Sequence, residues 1–374
     1  MNILHIIPSL KKGGAERLVL DICNCLSDMG GFKVKIITFR EQNEYPELSG
    51  NIEIEVIPSR INLSVFRKNE YNIIKLQKAI EDFSPDIIHT HLFEAEIVSR
   101  SCIYPNAKWF SHCHDNMIQL KKMSGKMLFN KRSLTNYFEK NYLLKSYRKN
   151  GGTHYIAISD DTANFLMDHF HYYPVDKLTN AINFSRFNAN LKEKNRGNKL
   201  TIANIGSFVK KKNQGLLIDI GLILQERKID FEINLFGEGE TKKALEERVI
   251  EAGLEKNIFF RGNLSHIEKY LWETVLYVHT ATYEPLGLVL LEAMAAGVPV
   301  ITLDGKGNRD IIINGENGYL IDMPLPELFA DKIQELWMDL EKYCAVSKNA
   351  IRFAEQYDIK IYTERLINLY KKHN

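Results

Sequence analysis

Glu284-Pro-Leu-Gly287-Leu288-Val289-Leu-Leu-Glu292-Ala-Met-Ala-Ala-Gly297-Val-Pro299 holds two carboxylates with seven residues between them, the second in a run that is otherwise apolar on every side. Leu288 to Leu291 and Ala293 to Ala296 leave a helix here no solvated face, so the pattern predicts a buried helix. Pro285 and Gly287 punctuate the chain ahead of it, which puts the helix start near Gly287 and Glu284 in the preceding loop. Amides at a helix start, here those of Gly287, Leu288 and Val289, point outward and bind anions. A carboxylate in such a helix is costly unless it meets protein groups or ligand hydroxyls. Two readings follow: a buried helix with one satisfied glutamate, or a phosphate cradle flanked by two hydroxyl acceptors, as a nucleotide sugar requires.

Outward from this stretch, short apolar runs alternate with helical patterns. Ile3–Pro8, Lys33–Phe39, Ile52–Ile57, Asp86–His91 and Ala107–His114 read as strands, with helices over Ala15–Leu26 and Tyr71–Phe83. The alternation restarts at Lys199, with strands Leu200–Gly206, Phe231–Phe236, Ile258–Phe260, Val275–His279 and Val300–Leu303. Helices Gln214–Glu226, Thr241–Ala252 and Gly287–Ala296 lie between them. This is an α/β pattern of two Rossmann-like units, each a parallel sheet with helices on both faces. The polar stretch Asn188–Asn198 marks the boundary, giving an N-terminal domain 1–188 and a C-terminal domain 189–354. A last helix, Ile359–Lys371, lies in the closing segment 355–374.

The Glu284-x7-Glu292 stretch resembles the motif of retaining nucleotide-sugar glycosyltransferases of family 4, which have the two-domain GT-B fold. The resemblance implies a cleft between the domains and a last helix that rejoins the first domain. It also assigns roles. Glu284 would lie by the donor sugar, Glu292 would bind the ribose, and the Gly287, Leu288 and Val289 amides would hold the diphosphate. Lys11-Lys-Gly13-Gly14-Ala-Glu-Arg17 resembles the family's first glycine-rich loop and implicates Gly14 at the donor phosphates; alone it reads as a structural turn. Leu235-Phe-Gly237-Glu-Gly239 resembles the loop near the base, and a tight turn is the plain alternative. Asn204-Ile-Gly206-Ser207-Phe-Val-Lys210-Lys-Lys212-Asn-Gln214 opens the second unit. There Lys212 matches the family lysine that neutralises the leaving diphosphate. Ser207 stands where the family has Arg, which removes one cation unless Lys210 or Lys211 compensates. Ala181 in Asn180-Ala-Ile-Asn183 replaces the family's Gly, and Asp310 its Glu.

His89, His91, His112 and His114 fall on two adjacent expected strands. Alternate residues of a strand share a face, so a metal reading arises. The family carries similar residues without a metal, and His114 resembles its donor-sugar histidine, with His112 second. No Asp-x-Asp motif is present, and the resemblance implies no cofactor and no metal.

Hydrophobic content of 45%, charged content of 26% and a net charge of +2 are ordinary for a soluble globular chain. Neither a leader peptide nor a run of about 18 apolar residues appears. Cys23, Cys25, Cys102, Cys113 and Cys344 lack zinc spacing and read as reduced thiols of a cytoplasmic protein. Leu120–Asn150 concentrates Lys121, Lys122, Lys126, Lys131, Arg132, Lys140, Lys145, Arg148 and Lys149 against Glu139, interleaved with apolar and aromatic residues. Such a segment suits an anionic membrane surface, or is a solvated helix pair; no nucleic-acid motif accompanies it. The expectation is a transferase moving a sugar from a nucleoside diphosphate, UDP, to a lipid-linked glycan in surface-polysaccharide synthesis, peripheral on the inner membrane face. A UDP-sugar 2-epimerase and a non-catalytic sugar-nucleotide binder share the pattern. A nicotinamide dehydrogenase needs G-x-G-x-x-G with an acid about 20 positions on, and none is so placed.

Overall fold

The structure, a computed structural model, describes residues 1–373 apart from 64–67, 72, 118, 120, 122–130, 170–171, 191–196 and 265. It divides into two compact units, Met1–Asn180 with Ile359–Asn374, and Ala181–Asp358.

In chain order the first unit contains strands β1 (Asn2–Ile7), β2 (Lys33–Thr38), β3 (Glu53–Val56), β4 (Arg60–Leu63), β5 (Lys68–Tyr71), β6 (Ile87–His91), β7 (Lys108–Cys113), β8 (His154–Ala157) and β9 (Val175–Lys177). Seven of them form a parallel sheet in the order β3-β2-β1-β6-β7-β8-β9, while β4 and β5 make a separate antiparallel pair. Ile3, Leu4, Ile6 and Ile7 of β1 are all buried, as a strand covered on both faces demands. Leu4, Ile6, Ile37, Ile88 and Trp109 belong to one core with Leu76 and Ile80 of the helix Ile73–Phe83. The last helix, Ile359–His373, belongs to this unit, where Tyr370 Oη lies 2.6 Å from His89 Nδ1.

The second unit contains β10 (Leu200–Ile205), β11 (Phe231–Phe236), β12 (Ile258–Gly262), β13 (Leu276–His279), β14 (Val300–Leu303) and β15 (Tyr319–Ile321). They form a parallel sheet in the order β12-β11-β10-β13-β14-β15. Its strand order reverses between β10 and β13, as that of the first sheet does between β1 and β6. Ligands of open α/β sheets bind beyond the strand ends at such points.

Three expectations are corrected. The first unit ends at Asn180, ahead of the expected boundary at 188, because the short helix Phe184–Asn188 packs into the second unit. Phe187 is buried there, Arg186 pairs with Glu268 at 2.7 Å, and the Asn188 amide donates to Ala295 O at 3.1 Å. Residues 191–196 of the expected linker lie outside the described residues. Tyr71 does not open a helix; it pairs with Arg60 in the β4–β5 hairpin, and the helix begins at Ile73. The helix Leu288–Ala295 is not buried all round: Leu288, Val289 and Glu292 share one half-exposed face, while Leu290, Leu291 and Ala293 to Ala296 are buried.

Candidate functional site

In the second unit the site is assembled from two loops at the strand reversal. After β10, Val209 leads into a short turn of 3-10 helix, Lys210–Lys212, closed by Asn213 in the left-handed region at φ 50°. After β13, residues 280–287 run to the helix Leu288–Ala295. The loops are pinned together, with Thr280 Oγ1 donating to Lys212 O at 3.0 Å and the Thr282 amide to Lys211 O at 2.9 Å. Lys212 then reaches Glu284 in an ion pair on Oε2, the side chains being 15% and 14% exposed. His279 Nε2 lies 3.1 Å from the same oxygen.

The backbone of Glu284 is held as well, its amide donating to Gly305 O at 2.8 Å and its carbonyl accepting from the Gly307 amide at 3.0 Å. Burial pushes the Glu284 carboxyl up. The His279 hydrogen bond and the Lys212 charge outweigh it and hold the group at about 2, so it is ionised at neutral pH. Burial pushes the His279 imidazole down, against the pull of Glu284, and keeps it neutral.

Gly287 stands at φ 55°, ψ 60° immediately before the helix, a conformation that costs an L side chain about 1–2 kcal/mol. A Cβ there would also lie 3.0 Å from Asn308 Oδ1 and 3.1 Å from Leu290 Cγ. The helix start carries no side-chain cap, so the Gly287, Leu288 and Val289 amides have no intrahelical acceptor. Glu292 lies one turn on from Leu288, on the half-exposed face. Gly237, just after β11, lies against Gly206, just after β10, where a Cβ would come within 2.0 Å of Gly206 O; only glycine permits this approach. Ser207 is exposed and its carbonyl accepts from Gln214 Nε2 at 3.1 Å. Lys210 and Lys211 are exposed, with Lys211 Nζ 5.8 Å from the Tyr283 ring centre.

In the first unit, Gly14 is exposed at the first position of the helix Gly14–Met29. Gly13 before it is bracketed by Tyr45, whose hydroxyl accepts from the Gly13 amide at 3.0 Å. Glu16, in the first turn, is 5% exposed, and burial raises its carboxyl.

The histidines form a chain across β1, β6 and β7. His5 Nδ1 meets His91 Nε2 at 2.9 Å, and His91 Nδ1 meets His114 Nε2 at 3.0 Å. His112 meets Asn180 Oδ1 at 3.2 Å and stacks on His114 with ring centres 4.1 Å apart. His5, His89, His91 and His112 are fully buried, and only His114 is partly open. Burial, and for His5 the neighbouring His112, hold His5 and His112 down to about 3. Two triplets, His5-His89-His91 and His91-His112-His114, bring three nitrogens within 4.8 Å of one another. Both triplets need His91, whose two ring nitrogens are already engaged, so a metal in either would have to break one of those bonds. His5 and His279 are the functional candidates that the sequence reading missed. Their signal is the same, a histidine near the carboxyl end of a strand at the sheet's reversal.

The profile of glycosyltransferase family 4 matches residues 12–186, and that of the group 1 glycosyl transferases matches 186–353. Among curated relatives, the poly(ribitol-phosphate) alpha-N-acetylglucosaminyltransferase of Staphylococcus aureus is 30% identical over 45% of this chain and 35% of its own length. The chain therefore spans only about a third of that relative. An uncharacterised glycosyltransferase of Methanocaldococcus jannaschii is 24% identical over 94% of this chain and 93% of its own. Among solved structures, Anabaena HepE in complex with UDP-glucose superposes with a TM-score of 0.81 at 22% identity, covering 100% of both chains. The fold is GT-B. The chain belongs to the family 4 type of glycosyltransferase, whose two profiles between them run from residue 12 to 353.

Proposed function

We propose that the chain is a retaining glycosyltransferase that moves a sugar from a UDP-sugar to the hydroxyl of a lipid-linked glycan in surface-polysaccharide synthesis. The observation that carries this is the Lys212–Glu284 pair set beside an uncapped helix start, with Glu292 on the helix's open face. Lys212 and the Gly287, Leu288 and Val289 amides take the diphosphate, Glu284 the donor sugar and Glu292 the ribose. Gly206, Ser207 and Gly237 line the strand ends by the nucleotide. Within the first unit, Gly14 and His114, the open member of the histidine chain, are the candidates that the family resemblance singles out for donor phosphate and sugar.

The C1–phosphate bond breaks as the acceptor oxygen joins C1 on the same face, and the acceptor proton passes to a donor phosphate oxygen. The protein supplies position and positive potential where charge develops on the diphosphate. The UDP and UDP-glucose bound to HepE support the donor, and the poly(ribitol-phosphate) in the staphylococcal relative's name supports a polymer acceptor.

Lys212 and the amides do the work that a divalent metal does elsewhere, so no metal is required. UDP release from a UDP-sugar is expected to persist in EDTA and to rise when a lipid-linked acceptor is added. Release abolished by EDTA and restored by one divalent ion overturns the metal-free reading. Release indifferent to every acceptor points to the epimerase class instead.

A further inference from the structure

The β10–β13 ladder runs through Ile202↔Leu276 and Ala203↔Tyr277 and goes no further. Past it Asn204 Nδ2 donates to Val278 O at 2.7 Å, and the Tyr277 side chain reaches the end of β10. Its hydroxyl lies 3.2 Å from Ile205 N, 3.3 Å from Ile205 O and 3.2 Å from His279 Nδ1. His279 Nε2 in turn meets Glu284 Oε2 at 3.1 Å. Tyr277 and His279 are 0% and 1% exposed, so neither touches bulk water.

The donors and acceptors fix the tautomer of His279. Glu284 is ionised and can only accept, so Nε2 of His279 carries the hydrogen and Nδ1 is bare. The Tyr277 oxygen accepts from the Ile205 amide, and its one hydrogen has two acceptors in reach, Ile205 O at 3.3 Å and the bare Nδ1 at 3.2 Å. The chain of contacts thus runs from the backbone at the end of β10, through two buried rings, to one oxygen of Glu284.

The two partners of that oxygen differ in kind. Lys212 is a flexible cation, and in the proposed reaction it is needed at the diphosphate. His279 is rigid, neutral and has no second task. Among the described residues both contacts fall on Oε2 and none on Oε1. We propose that His279 is a positioning residue for Glu284: it holds Oε2 when Lys212 turns to the donor diphosphate, leaving Oε1 to the sugar hydroxyls, and the Tyr277 hydroxyl, 3.2 Å from Nδ1, anchors the other side of the ring. The inference rests on the assignment of Glu284 to the donor sugar.

The test uses the full chain with UDP, and with UDP-glucose and UDP-N-acetylglucosamine as donors. Nitrogen NMR of the ring is expected to report a neutral His279 with hydrogen on Nε2, both free and saturated with UDP. Hydrogen on Nδ1, or an imidazolium, in either state overturns the proposal whatever the donor specificity. In turnover, His279→Leu should lower kcat by ~10–100-fold, the worth of a hydrogen bond to a charged group, with UDP affinity within about twofold of wild type. His279→Gln, which keeps an N–H directed at Glu284, should recover most of the loss. Wild-type kcat for His279→Leu, or equal loss of kcat and UDP affinity in both variants, overturns the proposal. Glu284→Gln is run alongside. If it turns over like wild type, the sugar assignment of Glu284 fails and this inference with it. If it is impaired while His279→Leu is not, only the inference fails.

Discussion

Glu284 and Glu292 differ in how they are held and in exposure, although the sequence presents them as a pair. Glu284 is enclosed, fixed through backbone and side chain, and met by Lys212 and His279. Glu292 projects from the half-exposed face of its helix, beside the amides of the helix start. Changing Glu292 to Gln is expected to weaken UDP binding by ~10–100-fold in calorimetry, because a carboxylate accepting from ribose hydroxyls makes charge-assisted bonds. A folded variant with wild-type UDP affinity makes Glu292 a structural residue. The placing of the pair is legible in the sequence, because the punctuation by Pro285 and Gly287 puts Glu284 in a loop and Glu292 in a helix, whereas Lys212 is singled out only by its resemblance to the family's lysine. His279 is not legible. A histidine at the end of an apolar strand reads as core, and its bond to Glu284 exists only because the intervening loop folds back.

At the scale of elements, three parallel strand ends bring together His5 from β1, His89 and His91 from β6, and His112 and His114 from β7. Burial, joined for all but His112 by repulsion from neighbouring imidazoles, holds all five below their ordinary value, with His5 and His112 at about 3. In the unfolded chain the same groups take up protons near pH 6.5. The unfolded state therefore gains protons first, and stability is full above about pH 6.5 and falls as the pH drops toward the folded values. Each such histidine costs ~1.4 kcal/mol per pH unit inside that window. The urea midpoint of unfolding is expected to fall clearly between pH 7 and pH 5, and an unchanged midpoint contradicts the neutral cluster. The strands carrying these residues were legible from apolar runs. The β4–β5 pair was not, since Arg60–Leu63 alternates over only four positions and Lys68–Tyr71 carries no alternation at all. The three-residue β9 and β15 escape because each is too short to show a period and is defined by pairing with its one neighbour.

For the whole molecule, two successive β/α units were readable from periodicity, whereas the division at Asn180 was not. The residues that move it, Arg186 to Asn188, look like linker until their tertiary partners are known. The basic and aromatic segment is sorted in a way composition cannot reveal. Leu143 and Tyr147 of the helix Lys131–Lys149 enter the core, while Arg132, Tyr137, Phe138, Lys145, Arg148 and Lys149 are exposed. Lys122, Lys126 and the apolar residues 123 and 127–129 of the same expectation lie outside the described residues. No helix among the described residues is long and apolar enough to cross a membrane. The exposed face of Lys131–Lys149 is expected to give co-sedimentation with anionic vesicles at low salt, weakening as salt screens it. Equal, negligible binding to neutral and anionic vesicles removes the membrane claim and leaves the donor site intact. The central claim is transfer with retention from a UDP-sugar, and proton NMR of the product's anomeric centre tests it most directly. From an α-linked donor in EDTA, with a lipid-linked acceptor, the expected product is an α-glycoside formed with equimolar UDP. A β-glycoside, or free epimerised sugar released without acceptor, contradicts it.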